Sequence, residues 1–159
     1  MTNEKPKFTP EVQTILNDFH LNDIISHLLR RAHFIAEDIF SHEFATESIT
    51  PRQKAVLVIV AKNPGLKQSE LAEHLFLDRN TITDIVKRLC SNELLIRLPC
   101  QEDQRAYALN ISSKGIELLN KLLPRDVLIE KKILERLPSE YQPIFIKCLK
   151  LIVEESHKK

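Results

Sequence analysis

Glycine occurs only twice in 159 residues, as Gly65 and Gly115. It is the residue that enters left-handed backbone without steric cost, so this chain can afford few tight turns and has no material for a glycine-rich phosphate loop. Leu, Ile, Lys and Glu are abundant instead, which predicts a mainly helical fold. Hydrophobic residues make up 43% and charged residues 28%. That balance suits a globular chain, and the length suits a single domain over 1–159 with a true core.

Helical spacing runs from about Glu11 to Phe44, with a break expected near His20, after a polar arm over residues 1–10. Ile24, Ile25, Leu28, Leu29, Ala32, Ile35, Ala36, Ile39 and Phe40 form an apolar surface too wide for one neighbour. Thr50 then caps a helix whose first residue is Pro51. Ala55, Val56, Leu57, Ile59, Val60 and Ala61 make that helix apolar almost all round, so it should lie at the centre. "NPG" (Asn63–Gly65) stops it. A short helix follows in "KQSELAEHLF", with Ser69 placed to cap it and Leu71, Ala72 and Leu75 inward.

Two residues, Leu77 and Asp78, separate this helix from "RNTITDIVKRL" (Arg79–Leu89). Ile82, Ile85, Val86 and Leu89 fall at i, i+3, i+4 and i+7, one stripe of a helix, and Asp78 stands at the N-cap. The outer face carries Asn80, Thr83, Asp84 and Lys87, with Arg79, Thr81 and Arg88 at its margins. On an isolated helix this is an ordinary solvated face or a face for base edges and phosphates, and its neighbours decide. A tight turn joining two short helices fits a helix-turn-helix. "LLIRLPC" (Leu94–Cys100) and "RAYALNI" (Arg105–Ile111) then alternate like paired strands around the polar "QEDQ". In the second strand Ala106, Ala108 and Asn110 share one face and Tyr107, Leu109 and Ile111 the other. A hairpin directly after a helix-turn-helix is a winged helix. Helix resumes at Ser113, with Pro124 a site for a kink, and Pro138 and Ser139 open a last helix to about Ser156.

Charge does not announce a nucleic-acid partner. The chain carries a net charge of +1, and from Asp78 to Arg105 five basic residues (Arg79, Lys87, Arg88, Arg97, Arg105) face five acidic ones (Asp78, Asp84, Glu93, Glu102, Asp103). Any such function rests on arrangement. No motif calls for a metal or other cofactor, and none of the catalytic signatures G-x-S-x-G or H-E-x-x-H is present, so an enzyme is not expected. Cys90, Cys100 and Cys148 lack C-x-x-C pairing and are expected as reduced thiols. No apolar run approaches the roughly 18 residues of a membrane span, and no leader is evident. A cytoplasmic protein is expected.

"TPRQKAVLVIVAKNPGLKQSELAEHLFLDRNTITDIVKRL", followed by R-x-x-x-x-E-D-Q-R-A-Y-A-L-N-I-S-S-K-G, resembles the MarR family of bacterial transcriptional regulators. The likeness covers nearly the whole chain in order. Its most specific part is D-x-R at Asp103-Gln104-Arg105, followed by S-S-K-G where T-x-x-G is usual. Gln101 and Gln104 stand where Pro and a second Arg are common, which lowers the wing's positive charge. The resemblance implies a winged helix-turn-helix lobe over 50–112 and dimerisation helices over 11–49 and 113–156. It also implies a homodimer on double-stranded DNA with a pseudo-palindromic operator. Arg79, Asn80, Thr81, Thr83, Asp84, Lys87 and Arg88 match the helix that enters the major groove. Arg105 matches the wing-tip Arg of the minor groove, oriented by Asp103. The apolar surface of the first and last two helices independently asks for a partner, through Ile129, Ile133, Leu134, Leu137, Ile144, Phe145, Leu149, Ile152 and Val153.

The family's peroxide-sensing branch places a reactive Cys where this chain has Ser26, so a repressor released by a small molecule is expected ahead of a cysteine-based redox sensor. A winged helix acting through protein contacts is a further alternative. Ser26, Arg30 and His33 share one helical face, at i, i+4 and i+7. In the family that face lines the effector cavity. An Arg offers a bidentate fork to a carboxylate, and Ser and His can hold a phenol or second oxygen. The bland alternative pairs Arg30 with Glu37 or Asp38. The "LLRRAH" stretch (Leu28–His33) is similar to that of regulators answering to aromatic acids such as hydroxycinnamates and benzoates, or to their CoA thioesters. An aromatic carboxylate effector is therefore expected.

Overall fold

The computed structural model describes residues 7–99 and 107–154, and the chain divides after Ile35 into two compact units. In the first unit, helix α1 spans Pro10–Asn17, capped by Thr9, whose hydroxyl oxygen accepts from the Val12 N–H at 3.3 Å. Helix therefore begins inside the stretch expected as a loose arm, because Thr9-Pro10 is a cap followed by a proline at the first helical position. A 3-10 turn at Leu21–Asp23 fills the expected break, and helix α2 spans Ile25–Glu43. Its N-terminal part is fastened locally, with the Arg31 guanidinium donating to Asn22 Oδ1 at 2.9 Å.

In the second unit, Thr50 caps α3 (Pro51–Lys62) in a reciprocal box: its hydroxyl accepts from the Gln53 N–H, and its own N–H donates to Gln53 Oε1. The orphan donors of the first turn are thereby satisfied. Val56, Leu57 and Val60 of α3 are fully buried, so the helix is central as its composition requires. Gly65, at φ +85°, turns the chain into β1 (Leu66–Lys67). Helix α4 is Gln68–Leu75 and α5 is Arg79–Ser91. Strands β2 (Leu95–Pro99) and β3 (Tyr107–Ile111) pair antiparallel with Arg97 opposite Leu109, and β1 joins β3 on its other side, giving the order β1-β3-β2.

Three local expectations need correction. Ser69 does not cap α4. Lys67 is held in β1 and is itself the N-cap, with Glu70 Oε2 accepting its N–H at 2.8 Å, so the helix starts two residues earlier, at Gln68. The α4–α5 turn has three residues, because Phe76 closes α4 in the left-handed conformation at φ 51°. The Leu77 N–H then returns to the Ala72 carbonyl, a common helix stop. The last helix, α7, spans Gln142–Glu154 and begins after Pro138–Tyr141 has closed its own turn.

Ser112 caps α6 (Ser113–Leu134), a single helix running through Pro124. Its hydroxyl accepts from the Gly115 N–H at 2.9 Å and donates to the Glu93 carbonyl at 2.6 Å, tying the helix start to the turn after α5. A Cβ on Gly115 would lie 2.3 Å from the Leu94 carbonyl oxygen. The glycine of S-S-K-G is thus a packing requirement. A second anchor joins the C-terminal half of α2 to α6. Arg125 donates to Glu43 Oε1 at 3.1 Å, to Glu47 Oε1 at 2.6 Å and to the Glu43 carbonyl, while Lys132 reaches Glu43 Oε2 at 2.9 Å. The guanidinium also lies 4.8 Å from the centre of the Phe44 ring, which packs edge-on against Phe40. Nearby, Lys54 of α3 pairs with Asp126. No helix among the described residues is long and apolar enough to cross a membrane.

Gly115→Ala should destabilise the fold by about 1–3 kcal/mol in urea unfolding, the usual cost of overpacking against backbone that cannot give way; an unchanged midpoint would contradict the close approach. The acid anchor gives a pH signature. The Lys132 hydrogen bond, then that of Arg125, holds the Glu43 carboxyl below its ordinary 4.5, and the Thr46 hydroxyl followed by Arg125 does the same for Glu47. A depressed folded pKa stabilises above the ordinary value and is lost as pH falls through the folded one. Glu43→Gln should therefore be less stable than the parent at neutral pH. The gap should narrow below about pH 4.5, where the parent loses the same interaction; an equal gap at both would remove the carboxylate from the account.

Candidate nucleic-acid interface

Helix α5 forms as its spacing dictates. Ile82, Val86 and Leu89 are fully buried and Ile85 is half-buried. Each such burial contributes about 1.5–3 kcal/mol relative to exposure, which fixes the rotation of the helix about its own axis. Rotation fixed, the opposite face is set: Asn80, Asp84 and Lys87 point to solvent, with Arg79, Thr83 and Arg88 also exposed. Asp78 starts the helix. Its carboxylate accepts from the Thr81 N–H at 2.9 Å and from the Thr81 hydroxyl at 2.6 Å. These two bonds, the hydroxyl's first, hold the Asp78 carboxyl below its ordinary range.

The two margins of the exposed face differ. On one, the Thr83 hydroxyl donates to the Arg79 carbonyl at 2.8 Å and accepts from Gln68 Nε2 at 2.6 Å, so Thr83 links α5 to the first residue of α4. Gln68 was not singled out from the sequence, because a bond spanning fifteen positions leaves no local spacing to read. Thr81 on the other margin is engaged with Asp78, so the donors and acceptors left to an outside partner are those of Asn80, Asp84, Lys87, Arg79 and Arg88.

Beside α5 the sheet supplies the hairpin base, with Leu109 of β3 fully buried and Ile96 and Leu98 of β2 exposed. Asp103, Arg105 and Cys100 lie outside the described residues. Ser26, Arg30 and His33 sit on α2 within the first unit, all exposed. Arg30 makes no ion pair with Asp38, which instead faces His42 at 3.7 Å. Of the cysteines, Cys90 is half-buried on α5 and Cys148 exposed on α7, both as free thiols.

A capped helix, docked by its apolar stripe behind a second helix and closed by an antiparallel hairpin, defines a winged helix-turn-helix, an architecture that presents one helix to a DNA groove. Comparison with known proteins agrees. Residues 49–107 match the model of the MarR family. A protein of Thauera aromatica described as a transcriptional regulatory protein for the hcr operon is 34% identical over 95 residues, 59% of this chain and 57% of that one, so this chain spans little more than half of that relative. The PcaV transcriptional regulator of Streptomyces coelicolor, solved in complex with its natural ligand, superposes with a TM-score of 0.78 at 26% identity over 87% of this chain and 98% of that one. The transcriptional repressor CouR, bound to a 23-mer DNA duplex, gives a TM-score of 0.76 at 25% identity over 84% of this chain and 94% of that one. Over residues 49–107 the chain is thus similar to the MarR family of transcriptional regulators, and it shares the fold of the solved regulators.

Proposed function

We propose that this protein is a homodimeric, sequence-specific DNA-binding repressor, released from a pseudo-palindromic operator by a small aromatic carboxylate or its CoA thioester. The observation that carries the DNA-reading part is the outer face of α5. Its exposed residues are held in one orientation by three fully buried apolar side chains and a bonded N-cap. In the major groove Asn80 suits adenine, Arg79 suits guanine, and Lys87 and Arg88 suit phosphates. Asp84 is an acceptor for a cytosine amino group. Arg105, steadied by Asp103, is assigned to the minor groove, where narrow A·T segments attract a cation. The repressor CouR, of the same fold and solved on a DNA duplex, supports this reading.

A dimer follows from unpartnered apolar surface. Helix α7 has no buried residue, yet Ile144, Ile152 and Val153 are each more than half exposed. Val127 and Leu128 of α6 are likewise exposed. Faces of this kind are covered in a stable soluble protein, and a twofold copy would cover both at once. For the effector, Arg30 on α2 is the assigned anion partner, with Ser26 and His33 beside it on one exposed face. A ligand that favours a spacing of the two α5 helices unequal to successive major grooves weakens binding by its differential affinity for the two states, and DNA weakens the ligand by the same factor.

Asn80→Ala should relax base preference at one position per half-site in a selection from randomised duplex, costing about 1–3 kcal/mol on the parent's preferred sequence and little elsewhere. A uniform loss over all sequences would assign Asn80 to the backbone. Calorimetry with a panel of benzoates and hydroxycinnamates should find a member that binds free protein more tightly than operator-bound protein. Arg30→Ala should abolish that difference while leaving operator binding without ligand near the parent value. If every member binds both forms equally, or none binds, the effector class is wrong.

A further inference from the structure

The margin of α5 opposite Gln68 faces a second element that the reading of base edges does not use. Thr81, Asp84, Ile85 and Arg88 of α5 and Thr50, Arg52 and Gln53 of α3 line one open cavity of about 260 Å³. Positions 81, 84, 85 and 88 are linked by i, i+3 and i, i+4 spacings, so this margin is a continuous strip along the helix. Arg52 is exposed on the first turn of α3, and the Gln53 side chain beside it is occupied in the capping box. Neither Arg52 nor Arg88 forms an ion pair among the described residues, although the Asp84 carboxylate shares their cavity. Arg52 of α3 and Arg88 of α5 thus line one cleft that adjoins the proposed base-reading face.

We propose that this cleft seats a backbone phosphate of the DNA strand bordering the groove that α5 enters, and that Arg52 is a positioning residue for DNA binding. This inference rests on the DNA-reading function proposed above. A phosphodiester is the occupant whose charge fits. Two planar forks offer it several N–H donors, and its single negative charge offsets the crowding of two cations. Asp84, at the wall, is left free to face the groove, where it would be repelled by the phosphate and drawn to an exposed amino group. The pairing of Arg52 with Arg88 also fixes an orientation. The two phosphate ligands come from α3 and α5, so the strand must lie along the α3 side of the recognition helix, and Thr83 and Gln68 must face the opposite strand.

The test is a salt titration of the parent and Arg52→Gln, each on a duplex selected by the parent from a random pool and on a random-sequence duplex. Neutralising one phosphate contact per protomer should lower the slope of log affinity against log salt by about 0.9 for each protomer bound. Affinity for both duplexes should fall by the same factor, and the selected base preferences should not change. Arg52→Lys should retain the slope, and circular dichroism should show an unaltered helix content in all variants. Methylphosphonate scanning of the selected duplex adds a direct readout. One neutral linkage per half-site should weaken the parent, and should weaken Arg52→Gln less, because only the Arg88 contact is left to lose. An unchanged slope, or a loss confined to one base position, overturns the phosphate seat. A parent that binds no duplex in a salt-dependent way would instead overturn the DNA-reading function itself, which separates the two failures.

Discussion

Burial of Ile82, Val86 and Leu89 against the α3 core is the constraint on which the remainder depends. All three are fully excluded from solvent, as are Val56, Leu57 and Val60 of the central helix. A helix with three such side chains on one stripe has a single rotational setting, since turning it by one residue would expose apolar area and bury Asp84 or Lys87 without partners. Its outer face is therefore a rigid array, with Asp78 settling its N-terminal end and Gln68 one margin. Rigidity at this point is what sequence reading of a duplex demands, because a base-edge hydrogen bond is lost with a displacement of about an ångström.

The second constraint comes from the opposite condition, apolar surface with nothing over it. Helix α7 exposes Ile144, Leu151, Ile152 and Val153, and the first unit exposes Ile15, Phe19, Ile25 and Phe34. Within the second unit the Arg125 cluster ties Glu43 and Glu47 to α6, with Lys54 and Asp126 bridging α3 to the same helix. Charged links of this kind are directional, and they hold α6 and α3 in defined contacts beside the buried Leu119 and Leu122 of α6. The site of proposed dimerisation and the site of proposed DNA reading thus share a common strut.

Much of this was legible in the sequence because it is local. The i, i+3, i+4, i+7 stripe gave α5, the Thr50-Pro51 start gave α3 with its cap, and alternation over Tyr107–Ile111 gave β3. The misses are non-local or too short. Strand β1 has two residues, fewer than one period of alternation, and exists only because β3 offers it an edge. Ser69 has the chemistry of a cap, but Lys67 was already fixed by the sheet. Phe76 takes a left-handed conformation without being Gly or Asn, so nothing in its identity signals the longer turn. Arg125 meets Glu47 across 78 positions, a separation that no local pattern encodes. The winged helix-turn-helix was read correctly despite a neutral charge balance, because the arrangement of residues and not their sum carries it.

The central claim is that two copies present their α5 faces to successive major grooves of one duplex. Hydroxyl-radical and methylation footprinting on a duplex recovered by the protein from a random pool tests it most directly. The account predicts a pseudo-palindrome whose half-site centres lie one helical turn apart, roughly 34–36 Å, with guanine N7 protected in the major groove of each half-site. A single asymmetric footprint, or protection confined to the minor groove, would contradict it.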